Sequence, residues 1–341
     1  MRRLGFALAL ILFSVWMWPT RFEASPLPKF DHIVVIMLEN HSDASILGDP
    51  AAPAITQYAK QYAYAANFYG VTHPSLPNYV AITSGSNWYS NSDDPTQRFN
   101  HWNLVDELEA HHVSWKAYMQ GMPSPGFAEN FYPANENTAL YVIRHDPFML
   151  YDDVRNNPKR RAKVVPLDWL TNDAKRGTLA QFIWISPDVC KDMHGTPEEP
   201  CPYAKDADLR RSGDDFVKQW VPVLLHAKNW TKRSVIFILT DETTYNGDKA
   251  TGGWLNADGC CDSPMLPPGT SLLPKGGLYG GGKIPFIAIG GNVKRGYTSQ
   301  VPYNHYSLLR TIEDSWGLAR LGVTSDVLNI RTLADLFETP K

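Results

Sequence analysis

A chain of 341 residues has room for two average domains or one large α/β domain. Its 43% hydrophobic and 20% charged residues, with 11 Trp and 16 Tyr, are the composition of a globular protein with an aromatic-rich core. A net charge of −3 with no basic stripe excludes nucleic acid as a partner.

Arg2 and Arg3 precede an apolar run, Leu4 to Trp18, which is followed by small residues at Ala24 and Ser25. That order is the order of a secretory signal, and the run is short for a membrane span. Residues 1–25 are therefore expected to direct export, and residues 26–341 to form a single domain with no stable membrane span in the mature form. In an exported chain the four cysteines should be oxidised. Four cysteines allow three pairings. Cys190–Cys201 is favoured as a short clip, which leaves the adjacent Cys260 and Cys261 either bridged to each other or reduced. A four-cysteine zinc site is the rival, and an adjacent pair suits it poorly.

"HIVVIML" (His32–Leu38) is a continuous apolar run of strand length. Such runs suit a strand buried on both faces of a parallel sheet. "LAQFIWIS" (179–186), "SVIFILTDE" (234–242) and "IPFIAIGG" (284–291) repeat the character. Helix-like stretches separate them: "LVDELEAHHV" before "SWKAYMQ", then "DDFVKQWVPVLLHAK", then "HYSLLRTIEDSWGL". The alternation predicts an α/β fold with a mainly parallel central sheet flanked by helices. Gly- and Pro-rich stretches at 187–203 and 250–283 read as long functional loops.

In open α/β sheets, ligand chemistry gathers at the carboxyl ends of the strands. Glu39, Asn40 and His41 follow the first run; Asp188, Asp192 and His194 follow the second; Asp241 and Glu242 follow the third. Carboxylates and an amide converging from several strand ends suit a hard divalent cation. Asn40 and Asp241 could instead cap the turns that follow. A cap needs only one residue, so the doublets "EN" and "DE" favour a metal.

"THPSLPN" sets Ser75 between Pro74 and Pro77, two residues after His73. Two prolines in four residues make a rigid elbow. Ser75 is either a plain turn residue or a presented nucleophile, and a metal beside its hydroxyl would activate it. His305 opens a helix, where free N–H groups form an anion site.

"HIVVIMLENHSD", "THPSLPNYVAITSG", "SPDVCKDMHG", "FILTDE" and "NHYSLLRTIEDSWGL" occur in one order over roughly residues 30–320. In these five motifs the chain resembles the phosphoesterase family of bacterial acid phosphatases and phospholipase C-type enzymes, within the alkaline phosphatase superfamily. The resemblance is nearest to the short secreted acid phosphatases. It implies an alkaline phosphatase-like fold and places Ser75 as nucleophile, with Thr72 a weaker alternative; Pro74 and Pro77 would hold Ser75 at a rigid bend, and the segment from Tyr79 would be the helix whose N-terminus faces the phosphate. It implies Glu39, Asn40, Asp241 and Glu242, together with Ser75, as ligands of a divalent metal. Asp188 or Asp192, His194 and His305 fall where the superfamily has a second metal site or, in acid phosphatases, contacts to the phosphoryl group. Asn78 and His145, in "RHDPF", are expected to bind substrate. Where zinc phosphodiesterases of the superfamily read "SDH", this chain reads Thr240-Asp241-Glu242, which favours a cation harder than zinc and one metal over two.

The resemblance implies a secreted phosphatase that acts on phosphomonoesters, phosphoinositides among them, through a phosphoserine. Asp192, His194 and His305 would assist, and a protonated histidine would give an acidic optimum. The alternative is a phospholipase C-type phosphodiesterase. That activity would need a cationic head-group site, for which Trp88, Tyr89 and Trp102 are candidates. A non-catalytic binding module on the same scaffold is the third reading.

Overall fold

In the computed structural model, residues 27–244, 256–264 and 279–339 are described. The segment expected to direct export, and part of the loop at 250–283, lie outside them. Strand β1 (His32–Leu38) is buried along its whole length. Its side chains alternate between two faces, as the pleat requires. Ile33, Val35 and Met37 enter one core layer, and Val34, Ile36 and Leu38 enter the other. Burying each such side chain is worth roughly 1.5–3 kcal/mol, so this central strand anchors both layers.

The other strands of the main sheet are β2 (Ala63–Ala65), β3 (Trp115–Met119), β4 (Val164–Pro166), β5 (Phe182–Ser186), β6 (Ser234–Thr240), β7 (Phe286–Gly290) and β8 (Tyr297–Ser299). Their order across the sheet is β8-β2-β7-β6-β1-β5-β3-β4. β1 pairs in parallel with β5 and β6, with Val35 opposite Trp184 on one side and Phe237 on the other. β7 alone runs against its neighbours β6 and β2. Its apolar run does not encode direction. The chain returns from the loop at the carboxyl end of β6, so the next strand must run back.

Among the described residues, six helices of seven residues or more cover the sheet: α1 (Pro53–Gln61), α2 (Ser75–Ser84), α3 (Leu104–Ala110), α4 (Trp169–Arg176), α5 (Asp206–Leu225) and α6 (His305–Trp316). α2, α3 and α6 pack on one face through Val80, Leu108 and Leu309. α1, α4 and α5 pack on the other through Ile55, Leu170 and Val217. α2 is buried on every side, which fits its apolar sequence after the elbow. α3 and α6 open with capping boxes, Asn103 with Asp106 and Asn304 with Ser307. The second of these fixes the start of α6, and with it His305.

The elbow differs from expectation. α2 begins at Ser75, with Pro74 in the cap position, rather than at Tyr79. Pro77 is in the first turn, where backbone N–H groups have no helical acceptor, so its missing N–H costs the helix nothing. "SWKAYMQ" supplies β3, which pairs in parallel with β5 and β4 and completes the block β6-β1-β5-β3-β4. Cys190–Cys201 is a disulfide, and so is the adjacent pair Cys260–Cys261.

Candidate active site

The parallel direction of β1, β5 and β6 delivers Glu39, the Asp192 loop and Asp241–Glu242 to one edge of the sheet. α2 enters that edge with its N-terminus. The Ser75 hydroxyl donates to Glu39 Oε2 at 3.0 Å and stands 3.4 Å from Glu242 Oε1. Tyr79, one helical turn on, donates its hydroxyl to Glu39 Oε1 at 2.5 Å. Glu242 also meets His73 Nδ1 at 2.7 Å and Asn78 Nδ2 at 3.3 Å.

Asn78 shapes the elbow. Its side-chain oxygen accepts from the N–H groups of Val71 and Thr72, and its amide donates to the carbonyls of Thr72 and Pro74. The amide expected to meet substrate is thus committed to the loop that presents Ser75. Thr72 Oγ1 donates to the His73 carbonyl at 3.3 Å instead of turning to the carboxylates. The Leu76 N–H, at the helix N-terminus, donates to Asp93 at 2.8 Å. Asp93 was not singled out in the sequence, and no motif there marks it.

Glu39 faces a second group of side chains. His145 Nε2 is 3.3 Å from Glu39 Oε1, and its Nδ1 is 2.9 Å from Asp192 Oδ2. Asp192 Oδ1 accepts from the His194 N–H at 2.7 Å, so one carboxylate orients both histidine-bearing segments. Glu39, His145 and His194 each offer a ligand atom within 4.8 Å of the others. The ring of Tyr79 stacks on His145 with centroids 5.5 Å apart. Asp188 lies outside this group and accepts from the N–H groups of Cys190 and Lys191, as a turn residue does.

Two of the expected residues take part in other ways. Asn40 has a left-handed backbone (φ 51°), and its N–H donates to Asp241 Oδ1 at 3.1 Å. His305, fully buried, sets Nε2 against the Asp241 carbonyl at 2.6 Å. Tyr79 and His73 join the cluster without having been assigned to it. Tyr79 had a signal, since four residues separate it from Ser75 and place both on one helix face.

Packing carboxylates this closely away from water raises their pKa values. Burial, then the charges of Asp241 and Asp192, push Glu39 well above the carboxylate range. Burial and the Glu242 charge push Asp241 up to about 8. Burial pushes Glu242 and Asp192 the same way. The histidines move down: burial and the nearby charge of Arg144 bring His194 to about 3, and burial brings His305 to about 4. Neither supplies the protonated imidazole expected to give an acidic optimum. The residues suit a divalent cation on two observations. Three buried carboxylates crowd one point, and Asp241 Oδ2 makes no hydrogen bond of good geometry among the described residues.

A close backbone approach holds the elbow from behind. A Cβ built on Gly281 would fall 2.6 Å from the Thr72 carbonyl oxygen and 2.8 Å from Gly70 Cα. Neither backbone atom can swing aside. Gly281→Ala is expected to cost about 1–3 kcal/mol in urea unfolding and to lower turnover by displacing the Ser75 elbow. An unchanged unfolding midpoint would refute that account.

The aromatic candidates do not converge on a cage. Trp88 stacks face to face on His101 at 3.6 Å, Trp102 donates its indole N–H to Glu107, and Tyr89 is 96% exposed.

The fold is similar to that of solved proteins of the alkaline phosphatase superfamily. A solved alkaline phosphatase superfamily protein from Vibrio parahaemolyticus matches with a TM-score of 0.51 at 12% identity, over 86% of this chain and 68% of that one. Residues 49–319 match the model of the phosphoesterase family, and the chain belongs to that family. Among curated relatives, a phosphate-repressible acid phosphatase of Penicillium chrysogenum is 26% identical over 86% of this chain. A phosphatidylinositol-3-phosphatase of Mycobacterium tuberculosis is 23% identical over 89% of this chain and 82% of its own length. The chain spans 60% of the length of the Penicillium enzyme.

Proposed function

We propose that this chain is a phosphomonoesterase of the acid phosphatase type, with Ser75 as its nucleophile. One observation carries the reading: the Ser75 hydroxyl sits on the first residue of α2 between two carboxylates, Glu39 and Glu242. Family membership and the acid phosphatase and phosphatidylinositol-3-phosphatase relatives support it.

Ser75 Oγ attacks phosphorus and forms a phosphoserine as the bond to the leaving oxygen breaks. The serine proton passes to the carboxylate that accepts its hydrogen bond, and the leaving oxygen takes a proton from solvent. Water then attacks the phosphoserine, which releases phosphate and restores the hydroxyl. Glu39, Asp241, Glu242 and Ser75 are the residues to hold a divalent cation, with His145 and His194 on the far side of Glu39. A bound cation lowers the pKa of a neighbouring hydroxyl and neutralises phosphoryl charge. Asp192 holds His145 in orientation, and Asn78 holds the elbow. His305 closes the cluster from beneath, against the Asp241 backbone.

The protein is exported in this reading. Its support is the basic-then-apolar N-terminal sequence and two disulfides. Among the described residues no helix is long and apolar enough to cross a membrane.

A panel of phosphomonoesters and phosphodiesters, assayed across pH with and without chelator, tests the function. Monoesters are expected to turn over at least about tenfold faster than diesters by kcat/KM, and chelation to stop both. Faster turnover of diesters would reverse the assignment in favour of a phospholipase C-type activity.

A further inference from the structure

Beside the catalytic cluster lies a cavity of about 220 Å³ walled by Val142, Val189, Gly195 and Tyr203, with Glu136 at its rim and Arg144 in its lining. Water occupies about 30 Å³ per molecule in the liquid, so a phosphoryl or carboxylate group fits with room to spare. Arg144 is unusual in this setting. It is 8% exposed, and its Nε has no hydrogen-bond partner among the described residues. Its ion-pair partner there, Glu136, is 3.6 Å away and 60% exposed. A guanidinium carries five N–H donors, and buried charges are ordinarily paired in close geometry. Here a buried cation lines an open space with its donors underused.

The cavity adjoins the reacting groups. Arg144 and His145 are consecutive in a 3₁₀ turn, Ile143–His145, whose side chains leave about 120° apart. His145 therefore turns to Glu39 and Asp192 while Arg144 turns to the cavity. Gly195 follows His194, and the Tyr203 ring packs edge-on against the His194 ring at 5.6 Å. The Cys190–Cys201 disulfide closes the loop that carries His194 and Gly195 and packs against Val142 and Val189. The cavity and the carboxylate cluster thus share the His145 and His194 segments, so a leaving group that extends past those histidines would meet a fixed positive charge.

We propose that this cavity is a leaving-group subsite for a second oxyanion, and that Arg144 is the residue that binds it. The inference rests on the phosphomonoesterase reading and adds the substrate class: monoesters whose alcohol carries another phosphate, a phosphodiester or a carboxylate. Glu136, exposed and loosely paired, is the group the substrate anion displaces.

The test measures kcat/KM with saturating divalent cation for three related monoesters: glycerol phosphate, 3-phosphoglycerate and glycerol bisphosphate. The last two separate a carboxylate from a phosphate as the second anion. A charge-assisted contact at this depth predicts a preference of about ten- to a hundredfold for one or both over glycerol phosphate. In Arg144→Gln that ratio should collapse towards one, and Arg144→Lys should restore part of it. Glu136→Gln removes a competing carboxylate from an exposed position, so it should raise the ratio. It decides the matter even where Arg144→Gln does not fold. Turnover of glycerol phosphate with no preference among the three, or a ratio unmoved in both Arg144→Gln and Glu136→Gln, overturns the subsite and leaves the phosphatase reading standing. No turnover of any of the three overturns that reading as well.

Discussion

Ser75→Ala is expected to lower turnover of every phosphoester by at least about a thousandfold, because in the proposed mechanism it removes the atom that attacks phosphorus. The folded structure should survive. Ser75 is buried, but its side chain is small, and its hydroxyl makes one good hydrogen bond, to Glu39. Losing a bond of that kind costs about 1 kcal/mol. Thr72→Ala is the control. The Thr72 hydroxyl turns back to the His73 carbonyl, so its loss should leave a working nucleophile three residues on. Ser75→Thr should keep part of the rate, since it keeps the hydroxyl and adds only a methyl group. Acid-quenched turnover mixtures should carry phosphate on the peptide that contains Ser75, as mass spectrometry would show. A dead Thr72→Ala beside an active Ser75→Ala would move the nucleophile to Thr72. Activity in both would mean that water attacks phosphorus directly.

Much of this site was readable because it depends on two periodic rules. A continuous apolar run is a strand buried on both faces, and the residues after such runs gather at one edge. Those rules place Glu39, Asp192, Asp241 and Glu242 together without any coordinates. The elbow was readable in composition and misread in extent. Two prolines look like an interruption, whereas Pro77 falls in the first helical turn, where it is tolerated. That shift of four residues moves Ser75 from the loop onto the helix and puts Tyr79 over Glu39. What could not be read depends on tertiary path. Strand β3 is five residues long, interrupted by Lys116, and shows neither a clean alternation nor an unbroken apolar run. The reversal of β7 follows from where its loop returns. His145 reaches Glu39 from a short 3₁₀ turn that no periodicity announces, and Arg144 beside it points to another space. Burial, too, is invisible in a motif. A histidine that a sequence motif suggests as a proton donor is held neutral once the fold removes it from water, as the fully buried His305 is.

Glu39→Gln should be the most damaging change that leaves Ser75 in place. Glu39 spends one oxygen on the Ser75 hydroxyl and the other on Tyr79 and His145, so it joins the two halves of the site. Its neutral replacement is expected to lower turnover by about a hundredfold or more and to abolish stoichiometric divalent metal in elemental analysis. Stability gives a second readout with a definite sign. In the metal-free protein the Asp241 carboxyl titrates near about 8, against an ordinary 3.8. Between those two values the folded state holds a proton that the unfolded chain releases, so stability falls as pH rises through that window. Below it both states are protonated, and the contribution is complete. A bound cation takes over the proton's task of neutralising the carboxylates. Adding one should therefore raise Tm by about 2 °C or more at pH 8 and much less at pH 4.5. In Glu39→Gln the carboxyl that the Asp241 charge pushes up is gone, and the repulsion between the two goes with it. The variant's metal-free Tm at pH 8 should exceed that of the wild type, and the added cation should no longer shift it. A cation-dependent Tm that survives in Glu39→Gln would place the metal somewhere other than on Glu39, and the carboxylates around Ser75 would then have to share protons instead.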